Sequence, residues 1–452
     1  MRNLIQDALK GHDADYLEIR VEEALSSHIR YSSVDLEDVG INTSLGGNVR
    51  ALAGGGWGFA CFNDLGDLRN RVSLAVRQAR LVGGERIRLA PVEPVVDVVE
   101  PYIKKDPTAV PLAEKRALLD QYNQIMLGVP GVSSSSISYG DRSKKVYMAT
   151  SEGTYLEQGT VDVVIRLSAI ARDGSEVQQA GISLGSNGDF SFVENLHQEA
   201  RESAEKAVKL LQAPRVKGGE YTVVLDPVLA GVFIHEAFGH LSEADQVYEN
   251  NALKEIMVLG KTFGGPHLNV VDGAAMSGLR GSYKYDDEGV PATKTYLIKD
   301  GVLVGRLHSR ETAAKMGEAP SGNARAISHQ FPPIVRMTNT LIEAGHASFE
   351  DLISDIKEGV YARNWYGGMT SMEMFTFSAG EAYMIRNGRV EEMVQPVMLS
   401  GNHFTTLKNL DAVAKDLDIN QGGGCGKGGQ SPLPVSNGSP HIRIRGCLVG
   451  GA

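Results

Sequence analysis

Val228-Leu229-Ala230-Gly231-Val232-Phe233-Ile234-His235-Glu236-Ala237-Phe238-Gly239-His240 is the stretch from which the reading of this chain starts. Its apolar lead-in predicts a buried helix that delivers two imidazoles and a carboxylate to one place. Neutral imidazole is a common zinc ligand, and a carboxylate beside a metal-activated water is a ready general base. The familiar pattern for such a site is H-E-x-x-H, with the histidines on one helix face at i and i+4. Here the second histidine is at i+5, roughly 140° around a regular helix. The two can share one ion only if the helix is irregular. Either a π-bulge at the motif or a loosening at Gly239, a poor helix former, would do this.

A catalytic zinc site takes about three protein ligands and keeps a position open. Two histidines leave one ligand to find. Glu243 and Asp245 are the local candidates; Cys425 and the remaining histidines are the distant ones. Cys425 stands in Gln421-Gly422-Gly423-Gly424-Cys425-Gly426-Lys427-Gly428-Gly429-Gln430, where glycines let backbone approach a buried site. Lys427 would help to lower its thiol pKa. The same loop fails the phosphate-binding pattern G-x-x-x-x-G-K-[ST]: Gln421 replaces the first glycine and Gly428 follows the lysine.

The 452 residues leave room for two or three domains and a large core. A hydrophobic share of 42% beside 22% charged residues is that of a soluble globular protein. The formal charge of -10, without a long Lys/Arg block, points away from nucleic acid. No run approaches the ~18 apolar residues of a membrane span. The segment Met1-Arg2-Asn3-Leu4-Ile5-Gln6-Asp7 lacks an apolar secretory core. Three widely spaced cysteines make no disulfide framework, so a reducing cytoplasm is the expected location.

Around the motif the expected class is α+β: N-terminal α/β modules, then a β-rich C-terminal domain carrying the active-site helix. A first module (1–90) has a helix at 2–11, a strand meander over 15–62 that opens on the alternating Tyr16-Leu17-Glu18-Ile19-Arg20-Val21, and a helix at 66–84. Residues 91–111, with Pro91, Pro94, Pro101, Pro107 and Pro111, read as a linker or edge segment. A second module (112–213) has a helix at Leu112–Leu127, strands at 132–139, 144–150, 153–158, 160–171 and 176–183, and a helix at about 192–212. Helix, strands, helix thus occurs twice, as in an internal duplication or in two pieces of like layout. In the third part (214–452) strand Tyr221–Asp226 leads into the motif helix. Strands and turns dominate 268–400, with a hairpin at Asn387-Gly388 and helices near 348–358 and 405–417.

Other residues read as structural. Tyr285-Asp286-Asp287-Glu288-Gly289 suits a solvated turn, or a carboxylate near the substrate amine or behind the metal ligands. Arg325, in Pro320-Ser321-Gly322-Asn323-Ala324-Arg325, suits a surface loop, or a grip on a peptide carboxylate. Cys61 and Cys447 suit small core positions. His308, His329, His346, His403 and His441 have no acidic or cysteine neighbour at ligand spacing, and Ser133-Ser134-Ser135-Ser136 is a strand without a nucleophile motif.

The H-E-x-x-x-H at 235–240, Asp286-Asp287-Glu288-Gly289, Pro320-Ser321-Gly322-Asn323, Phe375-Thr376-Phe377-Ser378 with Glu381-Ala382-Tyr383, and Cys425-Gly426-Lys427 together resemble the TldD/PmbA family. The order runs nearly the whole chain. It is similar to the TldD type, because PmbA-type (TldE) partners generally lack the metal motif. The resemblance implies a zinc metallopeptidase cleaving small or unfolded peptides inside an enclosed dimer, either a homodimer or a heterodimer with a TldE/PmbA-like homologue. It implies that His235, His240 and Cys425 bind the metal and that Glu236 activates water. His403, in Gly401-Asn402-His403-Phe404, matches no family ligand position. Two other readings stay open: a non-catalytic scaffold subunit with a structural metal, and a Cys425-dependent hydrolase.

Overall fold

The alternating residues at 16–21 open β1 (Tyr16–Ser32), which pairs antiparallel with β2 (Asp35–Ala53), itself paired with β3 (Gly56–Phe62). The computed structural model describes residues 1–83, 87–371 and 373–451. Gly54 and Gly55 turn β2 into β3 at φ +62° and +82°, backbone that side chains resist. Helices α1 (Arg2–Ala8) and α2 (Leu68–Val82) cover these strands, with Leu68, Val72, Ala75, Val76 and Ala79 of α2 facing inward. Residue 84, the last of the helix expected at 66–84, lies outside the described residues.

Residues 91–111 contain a strand. β4 (Val96–Val99) pairs parallel with β6 (Tyr155–Asp173), because the prolines flank Val96-Asp97-Val98-Val99 without interrupting it. Helix α3 (Leu112–Leu127) precedes β5 (Val132–Thr150); β6, β7 (Glu176–Asn187) and α4 (His197–Gln212) follow. The four strands expected over 132–171 are thus two. Gly140, expected in a break, is paired with His28 on one side and Val164 on the other, and neighbours on both sides carry the ladder through.

One sheet joins both N-terminal parts, in the order β3-β2-β1-β5-β6-β4, with β7 also on β6. The β1–β5 pairing runs from Glu18↔Thr150 to Ser32↔Ser136, so the parts expected at 1–90 and 112–213 share a continuous hydrogen-bonded ladder. The four helices bury apolar clusters on one face. On the other face Arg20, Arg50 and Asp162 meet Asp287, Glu288 and Arg280 of the C-terminal half.

The C-terminal half is strand-rich. β8 (Gly219–Leu225) lies between strands Glu358–Ser371 and Ile442–Gly451 in a seven-stranded sheet. A six-stranded sheet includes Val270–Asp272, Asn339–Ile342 and Ser436–Ser439. Helix α5 (Pro227–Ile234) lies between the two, touching Glu358–Ser371 on one side and Ser436–Ser439 on the other. Asn387 and Gly388, at φ +48° and +74°, make the expected tight hairpin turn. Two expected helices are shorter. Phe349–Ile353 replaces 348–358, and His403–Asn409 replaces 405–417, since Leu410–Val413 pairs with the C-terminal strand instead of continuing the helix. Among the described residues, no helix is long and apolar enough to cross a membrane.

Candidate metal centre

Asp226 ends β8 and caps α5: its carboxylate accepts the Leu229 N–H at 2.9 Å, and Pro227 takes the first helical position. The helix is apolar all round: Leu229, Ala230, Phe233 and Ile234 are buried in the core, while Val228 and Val232 face a cavity. Phe233 meets Phe375 and Phe377 edge-on, with centroids 5.6 and 6.3 Å away. His235–Gly239 then forms a π turn in which the His240 N–H donates to the His235 carbonyl. This wider turn brings the i+5 pair to one side, with the imidazole centroids 5.2 Å apart. Gly239 keeps a helical φ of -57°, so it does not loosen the helix. Its role is clearance: a Cβ there would lie 2.1 Å from the Met337 sulfur.

Cys425 arrives on the hairpin of Gly424–Lys427 and Gln430–Pro434. Its thiol is buried, with Sγ 3.4 Å from His240 Nε2. One ligand atom from each of His235, His240 and Cys425 lies within 4.8 Å of the others. His240 Nδ1 donates to Glu243 at 2.9 Å, which aims Nε2 at the thiol. Glu243 therefore orients a candidate ligand, and Asp245 is taken up by Lys427 at 2.7 Å. His235 Nδ1 is buried without a hydrogen-bond partner among the described residues.

The thiol and the imidazoles share protons as a thiolate–imidazolium cluster, and a bound cation would displace those protons. Burial alone would raise the Cys425 thiol, but the His235 and His240 imidazoles outweigh it and bring the thiol down to about 5. Burial would likewise lower His240, yet Glu243 and Cys425 hold it well above the ordinary imidazole range. A thiolate and two imidazoles facing one point are a donor set that zinc accepts.

Glu236 is half-buried beside this cluster, and Thr370 Oγ1 donates to it at 3.5 Å. Glu236 lines two cavities. One, of about 610 Å³, is also lined by His235, Val232, Ile182, Trp365 and Tyr366. The other, of about 430 Å³, is also lined by His240, Leu241, Leu253 and Thr370.

Several expectations change. The 285–289 segment is no solvated turn. Buried Asp286 accepts the N–H groups of Glu288, Val290 and Ala324, and its carboxyl is raised well above the ordinary range, by burial first and then by Glu288. Asp287 pairs with Arg20 at 3.1 Å and Glu288 with Arg50 at 3.2 Å, so the segment joins the two halves of the molecule. Arg325 is buried and donates to the carbonyls of Met337 and Pro434, leaving the surface-loop expectation unmet. Cys61 is exposed, and Cys447 is buried, its thiol pushed up to about 12 by burial. His403 is buried against Phe375, outside the triad, and burial lowers it to about 4. His308 and His441 are engaged by Glu318 and Asp416. Thr370 had no signal in the sequence, because strand pairing alone brings it to the site.

Comparison with known proteins agrees along the chain. Residues 17–80, 105–211 and 218–451 match the models for domain 1, the central domain and the C-terminal domain of the PmbA/TldA metallopeptidases. A metalloprotease of Synechocystis sp. is 50% identical, over 97% of this chain and 95% of its own length. A metalloprotease of Methanothermobacter thermautotrophicus is 39% identical, over 97% and 96%. A protein of Saccharolobus solfataricus named zinc metalloprotease TldD homolog is 29% identical, over 97% of each chain. Among solved structures, TldE from Thermococcus kodakarensis shares the fold at a TM-score of 0.76 and 18% identity, covering 100% of both chains.

Proposed function

The chain belongs to the TldD/PmbA metallopeptidase family, and on that premise we propose that it is a zinc peptidase in which His235, His240 and Cys425 hold the ion and Glu236 is the general base. The convergence of those three side chains within 4.8 Å, with Glu236 beside them lining two cavities, is the observation that carries this reading. Zinc, when bound, would lower the pKa of a water and polarise the scissile carbonyl. The chain's own groups do the rest. Glu243 holds the His240 ring in the tautomer that presents Nε2. Glu236 takes a proton from the attacking water and returns it to the leaving amine. Thr370 steadies that carboxylate. The two cavities that Glu236 lines suit an extended chain, hence small or unfolded peptides rather than folded proteins.

The enzyme is expected to work as a dimer, with a second copy or with a TldE/PmbA-like homologue; a TldE protein of the same fold supports the latter. Three unpaired cysteines suit a reducing cytoplasm. Glu236→Ala should keep the metal, by elemental analysis, while cleavage of an unstructured peptide falls by about 10²–10⁴-fold. Full activity in that variant rejects the mechanism.

One observation favours a second reading. The contact of Cys425 Sγ with His240 Nε2 at 3.4 Å, with Glu243 behind the ring, also has the layout of a cysteine nucleophile, its base and an orienting carboxylate. That hydrolase would keep its activity after chelation and lose it on alkylation of Cys425, whereas the zinc peptidase loses activity on chelation.

A further inference from the structure

The hairpin that presents Cys425 buries Cys425, Gln430 and Leu433, while Gly424, Gly426, Ser431 and Pro432 stay exposed. Its glycines offer no side chains to anchor it, and its ladder slips between Cys425 and Lys427, at the ligand itself. Guanidinium groups hold it from outside. Arg336 is fully buried and donates to the Cys425 carbonyl at 2.7 Å and to the Gln430 carbonyl at 3.1 Å, one from each strand. Arg280 donates to the Gln421 and Gly423 carbonyls at 3.1 and 2.5 Å, just ahead of the thiol. Its other edge is gripped by Asp162 of β6 at 2.5 and 2.9 Å.

Arg336 is a costly residue to bury. Its recorded partners are carbonyls, and its Nε has none among the described residues. A buried cation without a carboxylate is unfavourable by several kcal/mol in general terms. The fold keeps it where the slipped ladder leaves the Cys425 carbonyl to be fixed.

We propose that Arg336 and Arg280 are positioning residues for the Cys425 thiol, and that Arg280 makes the N-terminal sheet, which supplies none of the three candidate ligands, a support of the metal centre. The inference rests on the zinc reading above. Loss of the clamp leaves the histidines in place and lets the third ligand wander, so the metal is held less tightly and with altered sulfur coordination.

The test uses the full chain. Zinc affinity is measured by competition with a chromophoric chelator. The thiolate-to-cobalt charge-transfer absorption is recorded on the Co²⁺-loaded protein. Both are done for wild type, Arg336→Met, Asp162→Asn and Cys425→Ser. Arg336→Met should weaken zinc by roughly 10–100-fold, and Asp162→Asn by less, with a weakened or shifted band and unchanged far-UV circular dichroism. Wild-type affinity and an unaltered band in both folded variants overturn the proposal and leave the zinc reading intact. If Arg336→Met does not fold, Asp162→Asn decides alone, because Asp162 is 27% exposed and its recorded link to the hairpin runs through Arg280. A missing band in the wild type, or its survival in Cys425→Ser, removes the zinc reading and this proposal with it.

Discussion

The turn that carries His235 and His240 is surrounded by hydrocarbon, whereas the hairpin that carries Cys425 puts its thiol in the same core but has its backbone tied down by charged groups. Phe233, Ile234, Ala237 and Phe238 are buried around the histidines in the largest apolar core of the molecule. Around Cys425 the anchors are Arg280, Arg336 and Lys427, each bonded to a carbonyl or carboxylate. A helix offers a continuous apolar face and can be fixed by packing. A glycine-rich hairpin that buries only Cys425 and Leu433 as apolar side chains offers less and relies on directional polar bonds. The two supports fail differently: packing loses contact in proportion to the atoms removed, whereas a buried polar group stripped of its partner costs its desolvation.

The largest expected effect lies on the packed side. Phe233→Ala removes the ring wedged edge-on against Phe375 and Phe377, two residues before His235 in the helix. We expect a loss of about 3–5 kcal/mol in chemical denaturation, the range for emptying a core aromatic site. The loss should be the same at low salt and at ~1 M salt. A strong salt dependence would break the division between the two supports.

The charged side should give less. Lys427 pairs with Asp245 at 2.7 Å and with Glu243 at 3.1 Å, and donates to the Val335 carbonyl at 2.9 Å. Lys427→Met leaves Asp245 without its ion-pair partner and Glu243 with His240 and Gln246. About 1–3 kcal/mol should be lost in chemical denaturation, with little change as salt is added, because Lys427 is 13% exposed and Glu243 fully buried. A deficit equal to that of Phe233→Ala would mean that Lys427 acts through its hydrocarbon stem.

How far each support could be read from the sequence follows the same line. The apolar run 228–234 announces its helix, and the i+5 spacing of His235 and His240 demands the irregular turn that is found. The alternation at 16–21 and the Asn387-Gly388 turn are equally local signals. The cysteine's place is non-local. On chemistry alone Cys425 competed with Glu243 and Asp245, and only the family resemblance favoured it. The contact that joins it to His240 spans 185 residues. Arg336 reaches it across 89 residues and bonds to main chain, which leaves no pattern of side chains to find. The acidic segment at 285–289 misleads for the same reason: the arginines that make it a buried seam sit on β1 and β2. Leu410–Val413 leaves its expected helix because a strand from the chain's end pairs with it.

The smallest expected effect tests whether arginine anchoring depends on burial. At the surface of the C-terminal strand, Asp411 takes bonds from Arg443 and Arg445 at 2.8 Å each, and Asp355 takes bonds from the same two at 2.7 and 2.8 Å. Burial pushes the Asp411 carboxyl up, and the two guanidinium groups outweigh it and hold it below the ordinary carboxylate range. Its folded pKa is thus depressed. The stabilisation it brings is fully present above the unfolded value of about 3.9, and it is lost as pH falls through the folded one. At neutral pH Asp411→Asn should cost no more than about 1 kcal/mol, since Asp411 itself is 36% exposed and Arg445 39%. The gap between wild type and variant in thermal melts should close as the pH drops below that range. A gap that persists in acid would assign the effect of Asp411 to packing. A neutral-pH loss as large as that of Lys427→Met would mean that a carboxylate open to solvent holds this chain as firmly as the buried Glu243, and the strength of the charged support would then owe nothing to exclusion of water.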